Sequence, residues 1–197
     1  CIGADFDYSR FIPGTLTVDI VDAGGSTVSS PSVALDTTSV SLNCQSIAGV
    51  FGAAAQRIRI NNGTATPGWT LTAAATAGNT ITWSSGTEQY DYNDSSGTPA
   101  GCGDGGDADS QAGQLNLDPG VATLTPQSGC TSTGVSLGSA AGFLQAVQDN
   151  LTLASASSGA GTGCYWDITD IAVSQKIPAE KGAANYTLNI TLTITAN

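Results

Sequence analysis

The sequence predicts an all-β protein: a single-domain antiparallel β-sandwich or jelly roll over residues 14–197, preceded by an extended N-terminal arm at residues 1–13. Three observations predict this fold. About ten short segments alternate apolar and polar side chains, which is typical of half-buried strands. Clusters of Gly, Ser, Asn and Asp separate these segments. No segment of helical periodicity alternates with them, which disfavours a parallel α/β sheet.

The clearest strand is the last one, at residues 186–195. Leu188, Ile190, Leu192 and Ile194 fall on one face, and threonines and an asparagine fall on the other. Threonine and isoleucine fit a pleated, half-buried surface. We predict a central strand of its own sheet here, with its aliphatic face forming one wall of a groove.

The other elements follow from the same pattern. A turn cluster at 22–26 ends the first strand, and a polar, Gly-rich stretch at 84–113 is too hydrophilic for a core. Residues 139–150 are predicted as a short helix. Further strands are predicted at 15–21, 32–35, 39–42, 56–60, 69–72, 80–83, 114–117, 122–125, 151–153 and 165–174.

Composition excludes several functions. Five Lys and Arg against 16 Asp and Glu give a net charge of −11, which is opposite to what nucleic acid binding requires. The chain has no histidine, which rules out a Ser-His-Asp triad and imidazole ligation of zinc. No apolar run is long enough for a transmembrane segment. We expect a secreted protein at the cell surface, with any signal peptide already removed.

The cysteines indicate two disulfides. No Cys-x-x-Cys pair is present, and four internal cysteines in a secreted-looking chain favour a disulfide framework. Three connectivities are open for Cys44, Cys102, Cys130 and Cys164. We favour Cys102 with Cys130, because both flank the predicted strand at 114–117, which leaves Cys44 with Cys164.

Cys1 has three open interpretations. It is a free thiol, or it carries a lipid as the first residue of a mature lipoprotein, or it forms an intermolecular disulfide.

The polar stretch also carries six of the 16 acidic residues within residues 88–109. Calcium takes six to eight oxygen ligands from carboxylates, amides and carbonyls on flexible loops. Two interpretations stay open: a structural calcium ion that orders the loop, or a solvated acidic loop without metal. The candidate ligands are Asp91, Asn93, Asp94, Asp104, Asp107 and Asp109.

Catalysis is not expected. Glycosidases need two carboxylates across a cleft, and this chain has two Glu and an Asp cluster confined to one loop. A binding role for the cell wall or a glycan is the alternative, with Trp83 beside the acidic loop as the sugar-stacking side chain.

Several motifs resemble a known family. Trp69-Thr-Leu resembles the first Trp-x-Leu of WxL surface domains, and the last strand resembles their second motif, with Leu192 where that motif has a tryptophan. The chain is similar to secreted WxL-like β-proteins of candidate-phyla (Patescibacteria-type) bacteria. This resemblance implies a β-sandwich at the cell surface and no catalytic residue. The matching segments are 68–71, 90–94, 107–110, 173–180 and 192–197.

The leading functional hypothesis is a structural one. An extended arm before a β-domain is the arrangement used in donor-strand assembly, in which one subunit completes the sheet of the next. Phe6, Tyr8 and Ile12 share one face of the arm, and Phe11 falls on the other. We therefore predict a subunit of an extracellular, pilus-like filament or surface layer whose partner is another copy of itself. Cys1, Phe6, Tyr8 and Ile12 are the predicted intersubunit residues.

Overall fold

A computed structural model describes residues 15–63, 68–105, 109–127 and 129–197. The fold is all-β, with several antiparallel sheets packed together, as the sequence predicts. One short 3-10 helix, Pro119–Val121, joins two strands. The strands are β1 (Leu16–Val21), β2 (Gln45–Phe51), β3 (Arg57–Asn62), β4 (Trp69–Ala75), β5 (Trp83–Ser84), β6 (Gln89–Tyr90), β7 (Gln114–Asp118), β8 (Thr123–Pro126), β9 (Val135–Leu137), β10 (Ala141–Gly142), β11 (Asn150–Ala156), β12 (Cys164–Thr169), β13 (Ile171–Ile177) and β14 (Ile190–Ala196).

Three four-stranded sheets carry most of these strands. Sheet A has the order β1-β3-β12-β8, sheet B the order β10-β7-β13-β2, and sheet C the order β14-β4-β11-β9. Strands β5 and β6 form a small hairpin of their own. Every pairing within the three sheets is antiparallel.

Sheets A and B are two halves of one bent sheet. Three strands of sheet B are joined by short connections to three strands of sheet A. These pairs are β2 with β3, β13 with β12, and β7 with β8, and they follow the same order across both sheets. At the bend Asp170 adopts a positive φ of 65°, and its backbone N–H donates to the Gly52 carbonyl at 3.2 Å. The sequence pattern at 165–174 predicts one long strand, and this left-handed residue divides it between the two sheets.

The core lies between sheet C and the bent sheet. Trp69 on β4 contacts Trp166 on β12, with ring centroids 5.9 Å apart, and both side chains are fully buried. Tyr92 and Phe143 meet edge to face at 5.2 Å and extend the same cluster. Sequence analysis therefore places the core strands correctly, since Trp69 and Trp166 both lie on alternating segments.

Several element predictions are wrong. The last strand is shorter than predicted, and β14 is the edge strand of sheet C, paired with β4 alone within that sheet. Residues 139–150 are not helical, because β10, a turn and the start of β11 occupy them. The segments 32–35 and 39–42 form no strand, and one isolated bridge at Leu35 is their only ladder contact among the described residues.

Two disulfides form, but the favoured pairing is wrong. Cys44 bonds Cys102, and Cys130 bonds Cys164. Antiparallel pairing explains the second bond, because the end of β8 lies beside the start of β12, with Pro126 opposite Trp166. Cys102 instead lies near β13, because the neighbouring Gly101 contacts the side chain of Lys176 on that strand. Lys176 pairs with the start of β2, which directly follows Cys44, so the two cysteines meet.

Candidate functional site

The bent sheet is complete on one half and incomplete on the other. In sheet A, β1 covers the outer edge of β3 along its whole length. In sheet B, the corresponding position outside β2 holds no strand within the described parts of the chain. One isolated bridge pairs Leu35 with Gly49, and the Asp36 N–H donates to the Ala48 carbonyl at 2.7 Å. Most of the β2 edge is therefore free to accept another strand.

An apolar groove of about 370 Å³ runs beside this open edge. Its floor comes from sheet B, through Leu115, Leu117 and Val173, and its walls come from the strands around it. The wall residues include Ile20, Phe51, Leu188, Ile190 and Leu192. The predicted aliphatic face of the last strand thus lines a groove, although β14 is an edge strand.

Burial differs sharply between these wall strands and the strands of the core. The core-facing side chains of β3 and β4, such as Ile60 and Leu71, are fully buried. The inward-facing side chains of β1, β2 and β14, such as Ile20, Ile47 and Leu192, are only partly buried. Covering such partly exposed apolar side chains would remove apolar area from water.

A second groove, of about 580 Å³, continues from the first along the start of β2. It is lined by Gln45 and Ile47 of that strand, whereas the first groove is lined by Val50 and Phe51. Four residues line both grooves and so stand at the boundary between them: Val33, Leu35, Trp83 and Tyr186.

Trp83 belongs to the groove and not to an open platform. Its side chain is partly buried, and its indole N–H donates to Oε1 of Gln175 at 2.8 Å. One face stacks against Tyr90 with ring centroids 6.0 Å apart, and Tyr90 in turn meets Tyr186. Glycan stacking on Trp83 stays a prediction, and it is limited to the indole face that Tyr90 leaves open.

The aromatic residues around Trp83 sit in a low-dielectric environment. Burial raises the pKa of Tyr90, and the neighbouring Tyr186 raises it further. Burial also raises the pKa of Tyr186. These hydroxyl groups therefore stay neutral over the physiological range, and the boundary between the two grooves carries no titrating charge from them.

Carboxylates of the acidic loop accept hydrogen bonds from its own backbone. Asp91, Asn93 and Asp94 are almost fully buried. The Asp94 carboxylate accepts hydrogen bonds from the backbone N–H groups of Ser96 and Gly105. Oδ1 of Asp91 accepts one from the N–H of Tyr92 at 2.7 Å. These carboxylates stabilise turns of the loop.

The six candidate calcium ligands are only partly assembled. Asp104 and Asp109 are exposed, and Asp107 lies outside the described residues. Within the described ranges, no three acidic, cysteine or histidine side chains come together in a way that could hold a metal ion. Calcium binding by these six residues stays a prediction.

The predicted intersubunit residues cannot be placed. Cys1, Phe6, Tyr8 and Ile12 all lie outside the described residues, since the description of the chain starts at Thr15. Their role stays a prediction.

Sequence reasoning missed two residues that shape the surroundings of the groove. Gly49 sits in the middle of β2, and a glycine inside a strand often marks the close approach of another backbone. That signal is visible in the sequence. The contribution of Gln175 is not, because a glutamine in an alternating strand does not reveal that its side chain is fully buried and bound to Trp83.

No helix among the described residues is long and apolar enough to cross a membrane. The likeness to WxL-type surface proteins stays a prediction, because comparison of the chain with protein-family models, curated proteins and solved structures gave no match.

Proposed function

We propose that this protein is a structural subunit of an extracellular filament or surface layer, in which residues 1–13 of one copy add a strand to the next copy. The observation that carries the proposal is the apolar groove beside the open edge of β2. A sheet edge with free backbone groups is the template that strand addition uses, and side-chain pockets next to it select the donor.

The arm fits the groove in length. Thirteen extended residues reach about 43 Å, at about 3.3 Å per residue. The seven residues of β2 span about 23 Å on the same basis. The arm can therefore pair along all of β2 and still leave several residues to connect the two subunits.

The arm also fits in chemistry. Phe6, Tyr8 and Ile12 share one parity and supply large apolar side chains to a groove walled by aliphatic residues. The groove walls include no Lys or Arg, so apolar burial and backbone hydrogen bonds would supply the affinity.

Geometry favours an open polymer. A donor arm at one place and an acceptor groove at another make a heterologous contact, which gives a fibre when its rotation does not close. The two disulfides support the extracellular setting, because such bonds persist in oxidising compartments.

Deleting residues 1–13 tests the proposal. The truncated protein should fold, since β1 begins only at Leu16, and it should remain monomeric in sedimentation and in negative-stain microscopy. The full chain under the same conditions should form filaments, and a Cys1→Ser variant separates the contribution of Cys1 from that of the two structural disulfides.

Point variants of the arm provide a matched control. Phe6→Asp places a charge on the face assigned to the groove and should abolish polymerisation. Phe11→Asp places the same charge on the opposite face and should leave it largely intact. Filaments from the truncated chain, or equal loss in both aspartate variants, would show that strand donation by this face of the arm is wrong.

A further inference from the structure

The segment that crosses the open edge of β2 has the character of a removable cover. Residues 29–44 run beside β2, and all of them are exposed except Leu35, Ser41 and Cys44. Val40 and Leu42 in this segment are 57% and 80% exposed, although their spacing is that of a strand. The segment therefore holds a strand-like sequence in an irregular conformation, at the edge where a strand is missing.

Between residue 29 and Cys44 its attachment to the fold is slight. Apart from the Cys44–Cys102 disulfide at its end, the segment is held by the bridge of Leu35 to Gly49, in which the Asp36 N–H donates to the Ala48 carbonyl, and by three outer hydrogen bonds. Those three join Ser32 N–H to Gln56 Oε1, Gln45 Nε2 to Thr38 Oγ1, and Glu180 N–H to the Ser41 carbonyl. By comparison, β1 pairs with β3 over six consecutive residues.

Leu35 fills a notch in β2. A Cβ built on Gly49 would lie 2.5 Å from Cδ2 of Leu35 and 2.9 Å from the Ala34 carbonyl oxygen. The absence of a side chain at position 49 thus lets Leu35 reach the core, where it packs against the buried cluster. The same residue lines both grooves, so it stands where they meet.

We propose that residues 32–36 are a built-in plug, which occupies the middle of the acceptor groove in the free subunit and leaves when a neighbour's arm arrives. Removing Leu35 from the notch joins the two grooves along the full length of β2. An arm side chain, Phe6 or Tyr8, then takes the notch above Gly49, and the arm backbone takes over the hydrogen bond that Asp36 gives to Ala48. This inference rests on the proposed function and specifies how the same groove is regulated.

The plug keeps free subunits from pairing through their exposed edges before assembly. An unprotected edge strand recruits other chains without selection. Residues 32–36, held by one bridge, cover the β2 edge in the monomer. A donor arm that pairs along the whole of β2 binds more strongly and can therefore replace them.

The test uses the full chain and compares Leu35→Ala with Leu42→Ala. Leu35→Ala removes the side chain that fills the notch and leaves the notch open, so polymerisation should start about tenfold faster, which corresponds to about 1.4 kcal/mol. Leu42→Ala removes the same aliphatic group from an exposed position of the same segment that lines neither groove, and its polymerisation rate should match that of the unmodified chain. Growth would be followed by light scattering from purified monomers.

Hydrogen exchange measured by mass spectrometry gives a second readout. In filaments, peptides covering residues 32–36 should exchange faster than in the monomer, and peptides covering β2 should exchange more slowly. Continued protection of 32–36 in filaments, or a Leu35→Ala variant that polymerises no faster, would overturn the plug while leaving strand donation intact. A chain that forms no arm-dependent filaments would overturn the proposed function and the plug together.

Discussion

The two ends of the bent sheet differ in how they are closed. Around β3 and β12 the core-facing side chains are fully buried, and β1 covers the outer edge. Around β2 the corresponding side chains are partly buried, and the edge meets a single bridge. The first region is fully buried, and the second leaves apolar side chains partly exposed. Under the proposed function, stability and assembly depend on different regions of one sheet.

The largest effects are expected from the disulfides, one in each region. Loop closure over the 34-residue separation of Cys130 and Cys164 stabilises the fold by about 4 kcal/mol, and the 58-residue separation of Cys44 and Cys102 by a similar amount. Replacing either pair with serine should lower the denaturation midpoint comparably. Only the Cys44→Ser/Cys102→Ser variant should also polymerise faster, because Cys44 fixes the end of the segment that carries the plug. Equal acceleration by both variants would remove this distinction between the regions.

A matched pair of leucines separates folding from assembly. Leu71 on β4 is fully buried, and truncation to alanine should cost about 3 kcal/mol in the free energy of unfolding. Leu192 on β14 is partly buried in the groove wall, and Leu192→Ala should cost the monomer only about 1 kcal/mol. The effect on assembly should have the reverse order: Leu192→Ala should raise the critical concentration for polymerisation more than Leu71→Ala does. Chemical denaturation of monomers and sedimentation of filaments would measure the two quantities.

A smaller effect, on the stability of the fold at alkaline pH, is expected in the fully buried region. Burial raises the pKa of Tyr92 to about 12 from an ordinary value of 10, with added contributions from Asp149 and Asp91. Above pH 10 the unfolded chain loses this proton and the folded chain keeps it. The stability that the neutral hydroxyl contributes is therefore fully present below pH 10 and falls as the pH rises towards 12.

Thermal melts between pH 8 and 11.5 would show this decline, and Tyr92→Phe should make it shallower. A Tyr92→Phe variant with an unchanged pH profile would assign the decline to other groups, among them Tyr90, whose pKa is also raised by burial.

Much of the fold is predictable from the sequence, because it depends on local alternation. Trp69, Ile60 and Trp166 all lie on segments of period two, and the structure buries each of them. The errors come from contacts distant in sequence. The strand pattern at 32–35 is real, but whether it pairs depends on how closely it can approach β2. The disulfide pairing depends on which strand ends meet, as at Pro126 and Trp166.

The candidate site is less predictable than the fold. The sequence indicates an arm and an aliphatic wall at Leu188, Ile190 and Leu192, and the structure places that wall on a groove. It does not indicate that Trp83 is turned towards Gln175, because hydrogen bonding between side chains depends on the three-dimensional arrangement. The acidic cluster is the opposite case, because the sequence makes it easy to identify. In the fold, the carboxylates of Asp91 and Asp94 accept hydrogen bonds from backbone N–H groups of turns.

The pairing of β1 with β3 has a mechanical consequence. Leu16 lies opposite Asn62 and Val21 lies opposite Arg57, and β3 is joined to β2 at its Arg57 end. In a filament built by strand donation, tension enters each subunit through its own arm at the Leu16 end and leaves through the neighbour's arm held on β2. The two forces pull opposite ends of the β1–β3 ladder, so its hydrogen bonds are loaded together in shear instead of being peeled one by one. The strand order of sheet A therefore suits a tensile element, because a ladder in shear yields only when its bonds break at the same time.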